Sequence, residues 1–291
     1  MSENNTSYVS KPSPLLKTLR AISSVIPGDY LKTAIYLNCI ERPRRTLRTA
    51  LNSFYRMDHI YAVLKEVRDN YHGNFSILEF GTSDGYSFTK MLYATRYMRM
   101  EHRVIVHTFD SFEGMPPAAD ARDMDLVGGD PWALGQFRGR YEHLRSYCES
   151  RYANFRIHKG YFQESVTPEV LESLRSDLPI LVWIDCDYYS SAKVVMERLI
   201  PYLPNGCVVY FDEYDNLNYG SRFTGEARLV HEINSGRFGE DIELVRDDVL
   251  GLNSKRVYRF MHFGSNLQYA PVSTENAPNV VRVRSNDSPL P

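Results

Sequence analysis

The feature that most constrains this chain is a series of short apolar runs separated by stretches of helical length. Phe75–Phe80, Val104–Phe109, Phe155–His158, Ile180–Ile184 and Cys207–Phe211 are short, branched or aromatic, and bounded by turns, as strands buried on both faces are. Ser87–Arg99, Phe137–Arg151, Pro168–Arg175, Ser190–Leu203 and Thr224–Ser235 supply the helical crossovers that parallel strands need. Two later runs, Ile242–Arg246 and Val257–His262, close the chain as a hairpin. The expected fold is α/β: a Rossmann-like, doubly wound, mostly parallel seven-stranded sheet with a C-terminal antiparallel strand.

Apolar residues at 57, 60, 61, 64 and 67 mark one face of a helix that stops near Asn70–Gly73 and leads into the first strand. The sequence therefore divides into a disordered N-terminus over 1–14, an N-terminal helical cap over 15–56, one main domain over 57–265 and a disordered tail over 266–291. With 43% hydrophobic residues among 291 there is material for one sizeable core, and a net charge of −2 lacks the basic footprint of a nucleic-acid binder. Cys39, Cys148, Cys186 and Cys207 form no CxxC pair, which speaks against a disulfide framework or thiolate zinc site and points to the cytoplasm. No segment reads as a membrane span or a signal peptide. The basic run through Arg42, Arg44, Arg45 and Arg48 reads as solvated surface, and assembly into a homo-oligomer is left open.

The first strand ends Glu79-Phe80-Gly81-Thr82-Ser83-Asp84-Gly85-Tyr86-Ser87, an acidic residue and a glycine turn ahead of a helix. Glycine allows both the tight turn and close approach of a ligand, and the helix start offers free N–H groups to an anion. Asp110, at the end of the second strand in Phe109-Asp110-Ser111-Phe112, stands where such sheets bind ribose hydroxyls. The fourth and fifth strands end in Asp185-Cys186-Asp187 and Asp212-Glu213. Ligands bind at that edge of an open α/β sheet, so these carboxylates should converge beside the nucleoside, where a hard cation would neutralise them. Gly160-Tyr161-Phe162, after the third strand, could edge the adenine. Met115–Gly139 is long for a connection and reads as a mobile active-site loop whose Asp120, Asp123, Asp125 and Asp130 are solvated.

These motifs together resemble the macrocin O-methyltransferase family, the TylF/MycF/NovP type of metal-dependent class I S-adenosylmethionine methyltransferases. The likeness covers about Met57 to Ser235 and is most specific in Phe109–Pro116, in Gly160–Phe162, in Ile184–Ser191 and in Phe211–Tyr214; Asp185 and Asp212, 27 positions apart, match the family's spacing. The resemblance implies Mg²⁺, or another hard divalent cation, on Asp185, Asp212 and Glu213, with Asp187 as general base. It implies S-adenosyl-L-methionine held by Glu79, Gly81, Thr82, Ser83, Gly85, Tyr86, Ser87, Asp110, Ser111, Phe112, Gly160, Tyr161, Phe162 and Asp185. Glu213 departs from the family, which usually has a second Asp there. The implied acceptor is a hydroxyl of a sugar, glycan or glycosylated natural product. Two other readings compete: a nucleotide-sugar glycosyltransferase using Asp185-Cys186-Asp187 as a D-x-D motif, and a relative that binds the cofactor without catalysis.

Overall fold

A computed structural model of the chain describes residues 47–215, 220–250 and 256–272. The expected N-terminus over 1–14, the part of the expected 15–56 cap that precedes residue 47, and the tail from 273 lie outside the described residues. A long helix, α1 (Leu47–Asn70), turns into the short strand β1 (Tyr71–His72) and then β2 (Asn74–Phe80), α2 (Tyr86–Tyr97) and β3 (Val104–Asp110). After a long loop come α3 (Tyr141–Glu149), β4 (Phe155–Lys159), α4 (Phe162–Ser165), α5 (Pro168–Ser173), β5 (Asp177–Ile184) and α6 (Tyr189–Leu199). The chain continues through β6 (Val208–Phe211), α7 (Gly225–Asn234), β7 (Ile242–Arg246), β8 (Val257–His262) and β9 (Ala270–Pro271).

Seven strands form one sheet in the order β4-β3-β2-β5-β6-β8-β7. The first five are parallel, and β8 enters antiparallel between β6 and β7, so the expected hairpin forms and also joins the sheet through its second strand. The expected fold class is the one observed.

Successive side chains of a strand point to opposite faces, and here both faces are apolar. Ile77, Val106, Trp183 and Tyr210 belong to one core with α1 and α2, whereas Leu78, Phe109, Ile184 and Phe211 belong to the other with α6 and α7. Trp183 and Tyr210 stack with centroids 3.8 Å apart, and both are fully buried.

Register places the chemistry. Phe80 pairs with Phe109 on one side and Ile184 on the other, and Ile184 pairs with Phe211. The strand ends are therefore level, and the chain beyond each opens onto the same edge.

Two expected boundaries shift. The division at 57 falls inside α1, a single helix from Leu47. The expected disordered tail from 266 is structured at its start: β9 pairs with β1, and the Tyr269 ring lies 5.1 Å from that of Tyr71 while its hydroxyl donates to the Pro179 carbonyl at 2.6 Å. An aromatic among polar residues carries no periodic signal, which is why this strap is silent in the sequence.

Candidate active site

Gly81, the first residue beyond β2, has φ 95°, and a Cβ there would overlap the Asp185 carbonyl. Only glycine lets the turn lie this close to the end of β5. The turn is held from two sides. The Asp110 carboxylate accepts the backbone N–H groups of Thr82 at 2.7 Å and Ser83 at 2.8 Å on Oδ2, and of Phe112 at 2.6 Å on Oδ1. Those three bonds use most of a carboxylate's roughly four acceptor positions and still leave room for a hydroxyl donor. Asp110 therefore shapes the loop as well as facing the cavity.

Glu79 lies beneath the turn, fully buried and outside the cavity lining. Its Oε2 accepts from the Thr108 hydroxyl at 2.6 Å and the Thr82 hydroxyl at 3.2 Å. Burial raises its pKa to about 7, with the hydroxyls of Ser87, Thr108 and Thr82 pulling it down and the Asp110 charge adding to the rise. Helix α2 has Gly85 as its N-cap, without a side-chain cap bond, and Tyr86 and Ser87 of its first turn line the cavity.

A cavity of about 820 Å³ occupies the edge where the strands end. Of the residues expected at the cofactor, Gly81, Thr82, Ser83, Tyr86, Ser87, Asp110, Ser111, Gly160, Tyr161, Phe162 and Asp185 line it, and Gly85 and Phe112 join Glu79 behind the wall. Met115, Pro116 and Phe137 from the long loop close the opposite side. Tyr161 is 43% exposed and donates to Glu113 at 3.3 Å, while Phe162 packs edge-on against Phe80 at 5.5 Å, so the two aromatics of one motif serve different surfaces.

The acidic floor departs from the expected trio of Asp185, Asp212 and Glu213. The carboxylates that gather are Asp185, Asp187 and Glu213, each offering an oxygen within 4.8 Å of the others. Asp187, three residues beyond the end of β5, takes a left-handed turn, φ 65°. Asp212 lines the cavity but is almost fully buried, accepts from the Tyr210 hydroxyl at 2.7 Å and stands 3.6 Å from the Arg256 guanidinium.

One residue of this floor has no sequence signal. Glu226, in the first turn of α7, is fully buried, and its Oε2 accepts the Glu213 N–H at 3.0 Å. Burial pushes its pKa well above the carboxylate range, and the charges of Glu213, Asp187, Asp185 and Asp212 push it further. An acid two residues after Thr224 reads as an ordinary helix-start residue, and only the packing reveals its neighbours.

The long loop is docked on the start of α6 at two of its acids, buried Asp123 and exposed Asp130, which accepts from the Tyr188 hydroxyl. Asp123 is 3% exposed, whereas Asp120 pairs with Arg122 and Asp125 accepts within its own turn from Val127 and Gly129. Trp132 and Phe137 pack edge-on at 5.0 Å within the loop. Away from the acids, two histidines of neighbouring strands form a pair. His107 and His158 meet at 3.0 Å, and burial lowers their pKa values to about 3 and about 4, with nearby positive charge adding to the fall.

Residues 78–214 match the family model described as a methyltransferase domain. Among solved structures, the calicheamicin methyltransferase CalS11 is similar at 20% identity, with a TM-score of 0.56 over 88% of this chain and 95% of that one. The O-methyltransferase NovP aligns at 16% identity and a TM-score of 0.49, over 72% of this chain and 80% of that one. No protein of curated function matches the sequence. No helix among the described residues is long and apolar enough to cross a membrane. The strand order, the glycine turn and the cavity at the carboxyl edge of the sheet make a Rossmann-like fold, within which residues 78–214 are similar to a methyltransferase domain.

Proposed function

We propose that the chain is an S-adenosylmethionine-dependent O-methyltransferase acting on a hydroxyl of a sugar, glycan or glycosylated natural product, assisted by a divalent cation. The observation that carries this reading is the convergence of Asp185, Asp187 and Glu213 on the cavity that the glycine turn and Asp110 also face.

The donor set fits a hard cation. Three carboxylates whose oxygens lie within 4.8 Å of one another leave negative charge that an oxygen-preferring ion such as Mg²⁺ neutralises. Asp185 and Glu213 would hold it, with Asp187 beside them and Asp212 bracing the floor through Tyr210 and Arg256. When bound, the cation makes a coordinated hydroxyl more acidic, and S-adenosylmethionine carries an electrophilic methyl on a cationic sulfur.

The chain's own residues supply the rest. Asp110 and the Thr82–Ser83 backbone fix the nucleoside end, and the first turn of α2 meets the carboxylate end of the amino acid. Asp187 takes the hydroxyl proton as the oxygen–methyl bond forms and the carbon–sulfur bond breaks, leaving a neutral thioether. Met115, Pro116, Phe137 and Tyr161 shield the reacting atoms from water. Orientation of oxygen, methyl and sulfur in one line is the larger part of the rate enhancement asked of the protein.

Titration calorimetry with S-adenosylhomocysteine, with and without Mg²⁺, tests the reading. Wild type should bind, and Asp110→Ala should weaken binding at least tenfold. If wild type binds a uridine diphosphate sugar and not S-adenosylhomocysteine, the D-x-D glycosyltransferase reading replaces this one.

A further inference from the structure

The turn that carries Asp187 is gripped at three consecutive residues by the loop between β3 and α3. The Tyr188 hydroxyl donates to Asp130 at 2.6 Å. The Arg122 guanidinium donates to the Tyr189 hydroxyl at 2.8 Å and lies over that ring at 4.3 Å. The Tyr189 hydroxyl in turn donates to buried Glu232 of α7 at 2.7 Å. Ser190 gives its backbone N–H to Asp123 at 2.8 Å and its hydroxyl to the same carboxylate at 2.9 Å. Asp123 completes its set by accepting the N–H groups of Ala119 and Asp120, so one buried carboxylate joins the loop to the start of α6.

We propose that this loop is a clasp, and that Asp123 and Asp130 are positioning residues which keep the Asp187 carboxylate beside those of Asp185 and Glu213. This rests on the reading of the acidic floor as a cation site. The argument is geometric. Asp187 sits in the left-handed region, which an aspartate leaves readily unless its neighbours hold it. Its neighbours on the helical side are the three gripped residues, and on the strand side β5 is fixed within the sheet by β2 and β6. The clasp therefore governs a segment of the floor that lies beyond the end of β5. The bonds are specific in kind: a phenol to a carboxylate at one point, an N–H and a hydroxyl to a single carboxylate at another.

The test uses the full chain and Tyr188→Phe, Asp130→Ala, their double variant and Asp123→Ala. Hydrogen exchange at peptides covering 185–193 reads the clasp directly, and Mn²⁺ affinity by calorimetry reads the floor. Affinity for S-adenosylhomocysteine without metal reads the nucleoside end. The expected result is faster exchange at Ser190 and Mn²⁺ affinity reduced about tenfold or more, with S-adenosylhomocysteine affinity within about twofold of wild type. Tyr188→Phe removes only the bond between the two, whereas Asp130→Ala also removes those that Asp130 accepts from the Trp132 and Ala118 N–H groups, so the double variant should match Asp130→Ala rather than add to it. Unchanged exchange, or faster exchange with unchanged Mn²⁺ affinity, overturns the clasp. A wild type that binds no Mn²⁺ sinks the cation reading instead, and exchange at Ser190 alone then decides whether the loop holds the turn.

Discussion

Glu79 shows how a single side chain couples the site to the stability of the domain. Its carboxyl has a folded pKa near 7 because burial disfavours its charge, against an ordinary value of 4.5. A raised carboxyl pKa means that the folded protein binds the proton more tightly than the unfolded one. Its contribution is full below about pH 4.5 and is lost as pH rises toward 7, by about 3 kcal/mol at most. Urea unfolding of wild type and Glu79→Gln, compared from pH 4.5 to 8, should show the variant gaining on wild type across that interval. A difference that stays flat with pH would mean that Glu79 is charged in the fold throughout. His107 and His158 act in the opposite sense: their lowered values make their contribution full above about pH 6.5 and remove it as pH falls toward 4 and 3. Replacing His158 with Phe should therefore flatten the acid limb of the unfolding curve below pH 6. Glu79 stands out in the sequence as an acid ending a strand, but its burial does not, because nothing local tells whether that acid faces ligand or core.

Among elements, the glycine turn and the strand ends carry the cavity. Gly81→Ala would drive a methyl into the Asp185 carbonyl at a backbone angle unfavourable to alanine, so the turn and the end of β5 must separate. The expected outcome is loss of S-adenosylhomocysteine binding by at least tenfold together with a stability loss of about 1–3 kcal/mol, measured by calorimetry and by thermal unfolding. Binding as tight as wild type would show that the turn relaxes without cost. This part of the site was readable in advance, since a strand, an acid, a glycine turn and a helix start follow one another within eleven residues, Ile77 to Ser87. The acidic floor was readable only in part. The acids at the ends of β5 and β6 are plain in the sequence, but which three gather depends on a left-handed backbone at Asp187 and on the hold of Tyr210 and Arg256 on Asp212. Glu226 and Asp123 were hidden for the same reason: each is brought in by tertiary packing from a segment whose local pattern reads as helix start or loop.

At the scale of the whole molecule, periodicity made the sheet legible because strands buried on both faces have few other ways to read. Strand order was less open to inspection, and the antiparallel insertion of β8 follows from pairing rather than pattern. The strap formed by β9 was invisible. It ties Tyr269 to Tyr71, Phe75 and the Pro179 carbonyl, and so links the end of the described chain to the first strands. Tyr269→Ala should lower unfolding free energy by about 2 kcal/mol through lost aromatic burial, with S-adenosylhomocysteine affinity preserved because the strap lies at the sheet edge opposite the cavity. An equal loss of binding would reveal communication across the sheet.

The long loop between β3 and α3 gives the cavity one wall and also grips the turn bearing Asp187. In evolutionary terms, that joins two traits that many enzymes keep heritable apart. Under the proposed methyl transfer, a lineage could reshape the cavity wall at Met115, Pro116 or Phe137 to admit a new acceptor, yet insertions that displaced Asp123 or Asp130 would loosen the Asp187 turn at the same moment. Acceptor range in descendants of such a chain should thus diversify by substitution along the loop more readily than by changes in its length.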